Sequence, residues 1–383
     1  MKKNLRNVLA LALGLLTTVS FAQDWNVDSR TRIDNGGDFD RMITSQRATI
    51  GATWGGSDWG IHVSSDLNYT LDATGEFGMH IYEAYASTNL FGMANMTIGR
   101  QALDYGSGAL ISSNQWNANR TTWDGASFDL GLSDMADITV GYARGNAGEI
   151  LDTNGVGTGV GAEDLGNMYA NIAGSFSGWD VNIVYMTEEG PNASENAATG
   201  IDITGGLMGA NVNVSMNTDF DGDEYRVMGL TYNVNDDMSV HVASTTYGDA
   251  VELVAAAATD DPATTIDETV AIMSTGFNMA GTNMSGGWAN GNMGYLNASD
   301  EMLSYGVDYN MGGITLGATM NKVTNELNGE AWERSITEIS IGYSLGDNAS
   351  LSYHMATDGI SGDVDAANNV ENKYSWLTLT VTP

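Results

Sequence analysis

Segment after segment of this chain alternates polar and apolar residues one by one. The alternation breaks repeatedly at tight turns rich in glycine, asparagine and aspartate. A period of two is the side-chain repeat of a β-strand whose two faces meet different surroundings, and a helix cannot use it. Gly229–Val242, Gly306–Gly317 and Ile341–Tyr353 each alternate, turn and alternate again, as antiparallel hairpins do. Proline, which cannot donate to a ladder, occurs only at Pro191, Pro262 and Pro383.

Tight turns can be placed near Gly55–Asp58, Asn89–Gly92, Gly131–Asp134, Ser175–Gly178, Gly206–Gly209, Asn235–Asp237, Asn278–Gly281, Asn310–Gly313 and Gly346–Asn348. The connections between these hairpins are longer and acidic, as in Asn146–Asp164, Glu188–Ala197, Gly248–Asp267 and Asp358–Asn372. Short turns at one end and long loops at the other mark a transmembrane up-and-down β-barrel of the outer-membrane kind. With both termini on the short-turn side, nine turns make 20 strands. The hairpins around Gly206 and Gly281 are weakly marked, and dropping one gives 18, so the expectation is an even number centred on 18 within 16–20. Aromatic residues gather beside the turns (Trp54, Trp59, Phe91, Phe176, Trp179, Tyr232, Phe277, Tyr309 and Tyr343), where a barrel carries its interfacial belt.

Residues 1–22 read as a secretory signal: a basic start at Lys2, Lys3 and Arg6, a short apolar run from Val8 to Val19, and small residues at Ser20 and Ala22. The mature chain is expected to be a single barrel domain over residues 23–383. No later apolar run is long enough for a spanning helix, which needs ~20 residues, whereas a barrel strand needs only ~9–11. Losing the leader's three cations leaves 11 basic residues against 48 acidic ones, a balance of −37. That charge excludes nucleic-acid binding and basic-patch adhesion to anionic lipid. The expected partners are instead outer-membrane lipid, lipopolysaccharide and small solutes. Abundant patterned aromatics exclude disorder, and the absence of cysteine excludes disulfides and thiolate metal sites.

Alternation also assigns faces. In Trp59–Leu67, Ile61, Val63 and Leu67 point to lipid, and His62, Ser64 and Asp66 point inward. Glu83 takes the inward set with Tyr85. Ile339, Ile341 and Tyr343 face out, so Arg334 and Glu338 face in. Asp28, Arg30 and Arg32 share one face of the first strand, and Arg47 lies inward on the next. A lipid-facing Arg or Lys at mid-depth costs ~2–4 kcal/mol, which fixes these choices. Seven of the 11 mature basic residues precede residue 150: Arg30, Arg32, Arg41, Arg47, Arg100, Arg120 and Arg144. They suggest a basic ladder in the lumen, opposed by carboxylates such as Asp66 and Glu83. Such a ladder either sets ion preference or fills the lumen with structural ion pairs.

Two other constellations carry less. His62, Ser64 and Asp66 lie two apart on a strand, ~6.8 Å along the chain, too far for neighbours to form a catalytic triad. Asp219–Glu224 resembles part of a calcium loop but lacks the spacing and terminal carboxylate of an EF-hand. No cofactor is implied, although acidic loops can bind divalent cations weakly.

One stretch is more specific: Ile98-Gly-Arg-Gln-Ala-Leu-Asp-Tyr-Gly106, then Trp116, Asn119-Arg120 and Trp123-Asp124-Gly125. It resembles the outer-membrane alginate-export family of barrels over residues 95–130. The resemblance implies an 18-stranded, monomeric barrel with an arginine-rich, anion-selective lumen lined by Arg100 and Arg120. The chain departs from that family in its length, its charge and the lack of a terminal aromatic. Arg100 also shares parity with Met96 and Ile98, so it faces inward only through a bulge or at the rim. The expected function is a passive outer-membrane channel for small polar or charged solutes, and not an enzyme. The alternative is a structural or surface-interaction barrel with a closed lumen.

Overall fold

Alternation closes into a ring in the computed structural model. The structure describes residues 22–36, 43–71, 77–113, 120–133, 136–145, 166–189, 196–220, 222, 224–247, 301–327, 330–362 and 371–382. In chain order the strands are β1 (Ala22–Gly36), β2 (Ile43–Gly55), β3 (Trp59–Thr70), β4 (Phe77–Leu90), β5 (Ala94–Gln101) and β6 (Trp123–Ser133). There follow β7 (Ala136–Gly145), β8 (Gly166–Phe176), β9 (Trp179–Glu189), β10 (Ala197–Leu207), β11 (Ala210–Thr218) and β12 (Glu224–Asn233). The last six are β13 (Met238–Tyr247), β14 (Glu301–Met311), β15 (Ile314–Leu327), β16 (Glu330–Ser344), β17 (Ala349–Gly362) and β18 (Glu371–Val381). Each pairs antiparallel with its neighbours in sequence. β1 then pairs β18 from Ser29↔Val381 to Gly36↔Tyr374, so none of the described strands is left as an edge to recruit another chain.

The strand count follows from the turns. Eight connections at one end span two to four residues each, which with the two terminal strands gives 18. The weakly marked Gly206 hairpin is one of them. The Asn278–Gly281 turn, Phe277, Arg41 and the signal segment 1–21 lie outside the described residues. Ser177-Gly178, Met208-Gly209 and Gly312-Gly313 have positive φ at both central positions (53°/82°, 52°/86° and 57°/91°). A two-residue type I′ turn demands this, and its twist matches that of the flanking strands. At the other end the connections range from 53 residues between β13 and β14 to two between β15 and β16. Long loops are therefore not uniform there, because the β15–β16 ladder continues to Leu327↔Glu330.

The faces fall as the alternation requires. Ile61 and Val63 are exposed on the outside, while His62, Ser64 and Asp66 are buried inside. Ile339, Ile341 and Tyr343 are likewise exposed on the outside. Trp59, Phe91, Phe176, Tyr232, Tyr309 and Tyr343 are exposed beside the short turns, forming a belt. One irregularity matters to the interior. Ser64 pairs Glu83 and Ser65 pairs Ile81, so Tyr82 bulges out of the β3–β4 ladder. The bulge aims Tyr82, Glu83 and His80 at the lumen, with Ile81 left outside.

Arg100 is corrected by the ladder. It pairs with Ala84 on β4 and Asp124 on β6, whose parity is that of Ile98 and Val63, the outward set. No bulge interrupts β5, so Arg100 lies on the outer wall. There its Nε and Nη2 donate to Asp124 Oδ1 and Oδ2 at 2.7 and 2.8 Å. The fork pairing gives the guanidinium a local counter-charge at the end of the strand, where an outward cation is tolerated. The lumen-facing member of the Gly-Arg-Gln run is Gln101, buried and accepting from Ser127 Oγ at 3.0 Å.

Candidate functional site

The interior is built from the inward residues of the strands and one loop that folds between them. On β1 and β2, Arg30 faces Arg47 directly across the ladder, and Arg32 lies one inward position further along. Arg30 also stands within electrostatic reach of Arg120, with Asp28 acting in the opposite sense. Beyond β1, the Arg32 guanidinium lies over the Trp376 ring of β18, 5.4 Å from its centroid. Trp376 stacks in parallel on His354 of β17 at 4.9 Å, and His354 Nδ1 lies 3.2 Å from Glu338 Oε1 on β16. The predicted residues Arg32 and Glu338 are thus the two ends of one layered contact. Arg334 takes the same inward parity higher on β16, opposite Val323 and Ile360.

The segment between β5 and β6 crosses this interior. It leaves the wall beside Glu83, whose Oε1 accepts from Ala102 N at 3.2 Å. Leu103, Leu110 and Ile111 then bury themselves against Tyr169, Val184, Met186 and Ala198, inward residues of β8, β9 and β10. Asp104 braces the bend, accepting from Ser112 Oγ, Ser113 N and Ser113 Oγ at 3.0, 2.7 and 2.6 Å. Burial against Tyr169 holds the Tyr105 phenol far above its usual titration range, so it stays neutral. Ser107 N donates to Asp202 Oδ2, and Ser215 Oγ donates to Ser107 Oγ, both at 3.0 Å. Gly106 makes this approach possible: its φ is +58°, and a Cβ there would stand 2.0 Å from Asp202 Oδ2.

The return of the loop is held on the opposite wall. Arg120 Nε donates to Asp66 Oδ2 at 2.9 Å, and Nη2 donates to Asp66 Oδ1 and to Thr49 Oγ1. Thr49 Oγ1 in turn donates to Asp66 Oδ1 at 2.7 Å. The Arg120 guanidinium sits 3.3 Å from the Tyr82 ring centroid, so the bulge supplies its cation–π platform. Asp66 is fully buried. Asp66 and Glu83 stand on the inward face of the wall, where they tie the loop to it.

Away from the arginines the lining is acidic and amidic. Between the loop and the short-turn end a cavity of 590 Å³ is lined by Asp137, Asp180, Asn182, Asp202, Asn213 and Ser215, among others. A second cavity of 380 Å³ is lined by His241, Asp308, Thr319, Glu338, His354 and Trp376, among others. Among the described residues, neither has a Lys or Arg in its lining. Parity alone places Asp180, Asp202 and Asp308 inward once their strands are read. The apolar anchor of the loop carries no such signal, because a barrel interior is expected to be polar.

His62, Ser64 and Asp66 do not come together: His62 Nδ1 meets Thr53 Oγ1 at 2.8 Å, and Asp66 is engaged by Arg120 and Thr49. Among the described residues no three His, Asp or Glu side chains converge on one metal position. Asp219 is buried and Phe220 packs on the loop's apolar anchor, so the start of the calcium-loop-like run faces the protein.

No protein-family model matches the sequence, and no curated protein sequence matches it either. Solved structures do match in fold. Pseudomonas aeruginosa OccK5 (OpdH) is 11% identical and superposes with a TM-score of 0.65 over 94% of this chain and 98% of its own. Acinetobacter baumannii OccAB2 is 12% identical, with a TM-score of 0.65 over 96% of this chain and 99% of its own. The outer membrane protein OpdK of P. aeruginosa is 11% identical, with a TM-score of 0.63 over 95% of this chain and all of its own. At these identities the chain is similar to them in architecture: a closed antiparallel barrel with an even strand number.

Proposed function

We propose that the protein is a channel of the bacterial outer membrane that lets small polar or charged solutes diffuse through its lumen. The observation that carries this is the direct Arg30–Arg47 pairing inside a closed barrel whose outer wall is apolar. Like charges opposite each other on a ladder destabilise it. A lumen filled only for structural reasons gains nothing from placing two guanidinium groups in register with Arg32 and Arg120 nearby. A solute path gains a region that attracts anions. The neighbours point the same way: OpdK is an outer membrane protein, and one of its structures was solved with vanillate. An aromatic carboxylate has the size and charge that a guanidinium cluster of this kind attracts.

The finer resemblance to the alginate-export family rests on residues 95–130. Arg120 supports its arginine-rich lumen, and Arg100 does not. With a balance of −34 over the whole sequence, small anions suit this barrel better than a polyanion.

Purified protein added to planar bilayers should give discrete conductance steps, and a salt gradient should give a reversal potential between weak anion preference and neutrality. Protein that inserts in stable, folded form yet never conducts would replace this reading with the closed-lumen alternative.

A further inference from the structure

The sequence holds four histidines, His62, His80, His241 and His354. They stand on four strands, β3, β4, β13 and β17, and every one faces the lumen beside a different carboxylate. His62 Nε2 is 3.6 Å from Glu83 Oε2, and His80 Nε2 is 3.7 Å from Asp66 Oδ2. His241 Nδ1 is 3.2 Å from Asp308 Oδ2, and His354 Nδ1 is 3.2 Å from Glu338 Oε1. Resting on the channel reading, we propose that these four pairs make ion preference depend on pH, moving it toward anions as the medium acidifies through the histidine range.

The pairs fall into two sets. The first lies where the loop is tied. His62 meets Thr53 of β2 and, from β4, Glu83 and the stacked Tyr85 ring at 5.1 Å. His80 meets Asp66 of β3, which already holds Arg120 of the loop. Both Nε2 atoms are buried without a hydrogen-bond partner among the described residues, each directed at a carboxylate oxygen. A proton there creates a charge-assisted contact where a neutral ring leaves none. The second set lines the 380 Å³ cavity. His241 faces Asp308 of β14 and Thr319 of β15 on one side, with uncharged Thr231 of β12 on the other. His354 faces Glu338 of β16 and Trp376 of β18, beyond which lies Arg32 of β1.

Histidine is the side chain whose ordinary titration falls between about pH 5 and 8. Aspartate, glutamate and arginine ordinarily titrate outside that interval. With neutral rings Glu83, Asp308 and Glu338 leave negative charge in the lining, whereas Asp66 is already paired with Arg120. Each proton taken up adds one positive charge, four in all, which offsets the neighbouring carboxylate or, beside Asp66, adds to Arg120. Lumen charges within ~10 Å of the path, after screening by salt, give a combined change in the anion-to-cation ratio of about twofold or more.

Reversal potentials are measured across a KCl gradient at pH 8 and pH 5.5. The anion-to-cation permeability ratio should rise about twofold or more on acidification, and the rise should vanish when His62, His80, His241 and His354 are all replaced by Gln. The paired variants H62Q/H80Q and H241Q/H354Q guard against failure of the quadruple variant to fold, and each should lose part of the rise. A conducting wild-type channel with a flat pH response overturns this proposal and leaves the channel reading intact. A rise kept in full by the quadruple variant, or by both paired variants, does the same. A folded chain that never conducts overturns the channel reading itself.

Discussion

Asp66 shows how one buried carboxylate can serve a barrel interior. It accepts a fork from Arg120, a hydroxyl from Thr49 and the approach of His80, at zero exposure. A buried ion pair adds little net stability against a well-packed apolar pair, but removing one partner strands the other and costs ~3–5 kcal/mol. In Asp66→Ala that loss falls on the attachment of the loop, since the wall strands keep their backbone ladders. The variant should therefore insert normally, with faster protease cleavage between residues 102 and 122 and a noisier open channel. The double variant D66L/R120M removes both charges and should regain much of the protease resistance. Equal cleavage rates in wild type and Asp66→Ala would show that the apolar anchor at Leu103, Leu110 and Ile111 holds the loop without help. The sequence placed Asp66 inward, but its partner lies 54 residues away and no local pattern links the two.

Among the elements, strands were legible and the loop was not. Lipid outside and water inside impose a two-residue period on every spanning segment, so Ile341 and Ser340 could be assigned from sequence alone. In the fold they stand on opposite faces, Ile341 42% exposed on the outer wall and Ser340 lining the cavity of His241 and Glu338. Ile341→Arg should destabilise the barrel by ~2–4 kcal/mol near mid-depth, read from urea unfolding in lipid vesicles. Ser340→Arg should fold with near wild-type stability and change conductance instead. Equal losses at both positions would contradict the two-faced strand. Period two fails where the chain departs from it. The Tyr82 bulge resets parity within β4, so a strict count back from Glu83 puts His80 on the wrong side. The β5–β6 segment has no period at all. Its position comes from Tyr169, Val184, Met186 and Ala198, apolar residues on an interior face where the barrel pattern expects polar ones. Arg100 failed for a related reason: the local motif resembled a family pattern while the ladder parity opposed it, and parity won because no bulge intervenes.

At the scale of the whole molecule, a strongly acidic sequence encloses a lumen whose described cations are concentrated on one side. The formal balance is −34, yet Arg30, Arg32 and Arg47 come from two adjacent strands and Arg120 reaches them from the loop. Acidic groups stand among the polar residues of the other described lining, with Asp137, Asp180 and Asp202 in one cavity and Asp308 and Glu338 in the other. Charge outside the lumen acts weakly on a permeating ion, because ~0.15 M salt screens it beyond ~8 Å. Charge on the lining lies within a screening length of an ion in the lumen, and the loop brings Arg120 toward the arginines of the wall. In the channel proposed above, ion preference should then follow local arginines against local carboxylates more than the overall balance. Replacing Arg30, Arg32 and Arg47 together with Gln removes three lumen cations and leaves the loop tie between Arg120 and Asp66 in place. The reversal potential in a KCl gradient at pH 7 should move toward cations, by more in 0.05 M than in 0.5 M mean salt because the same charges are less screened. A triple variant with an unmoved reversal potential at both salt levels would mean that the carboxylate-lined side carries the ions and that the arginine cluster serves only to pack the wall.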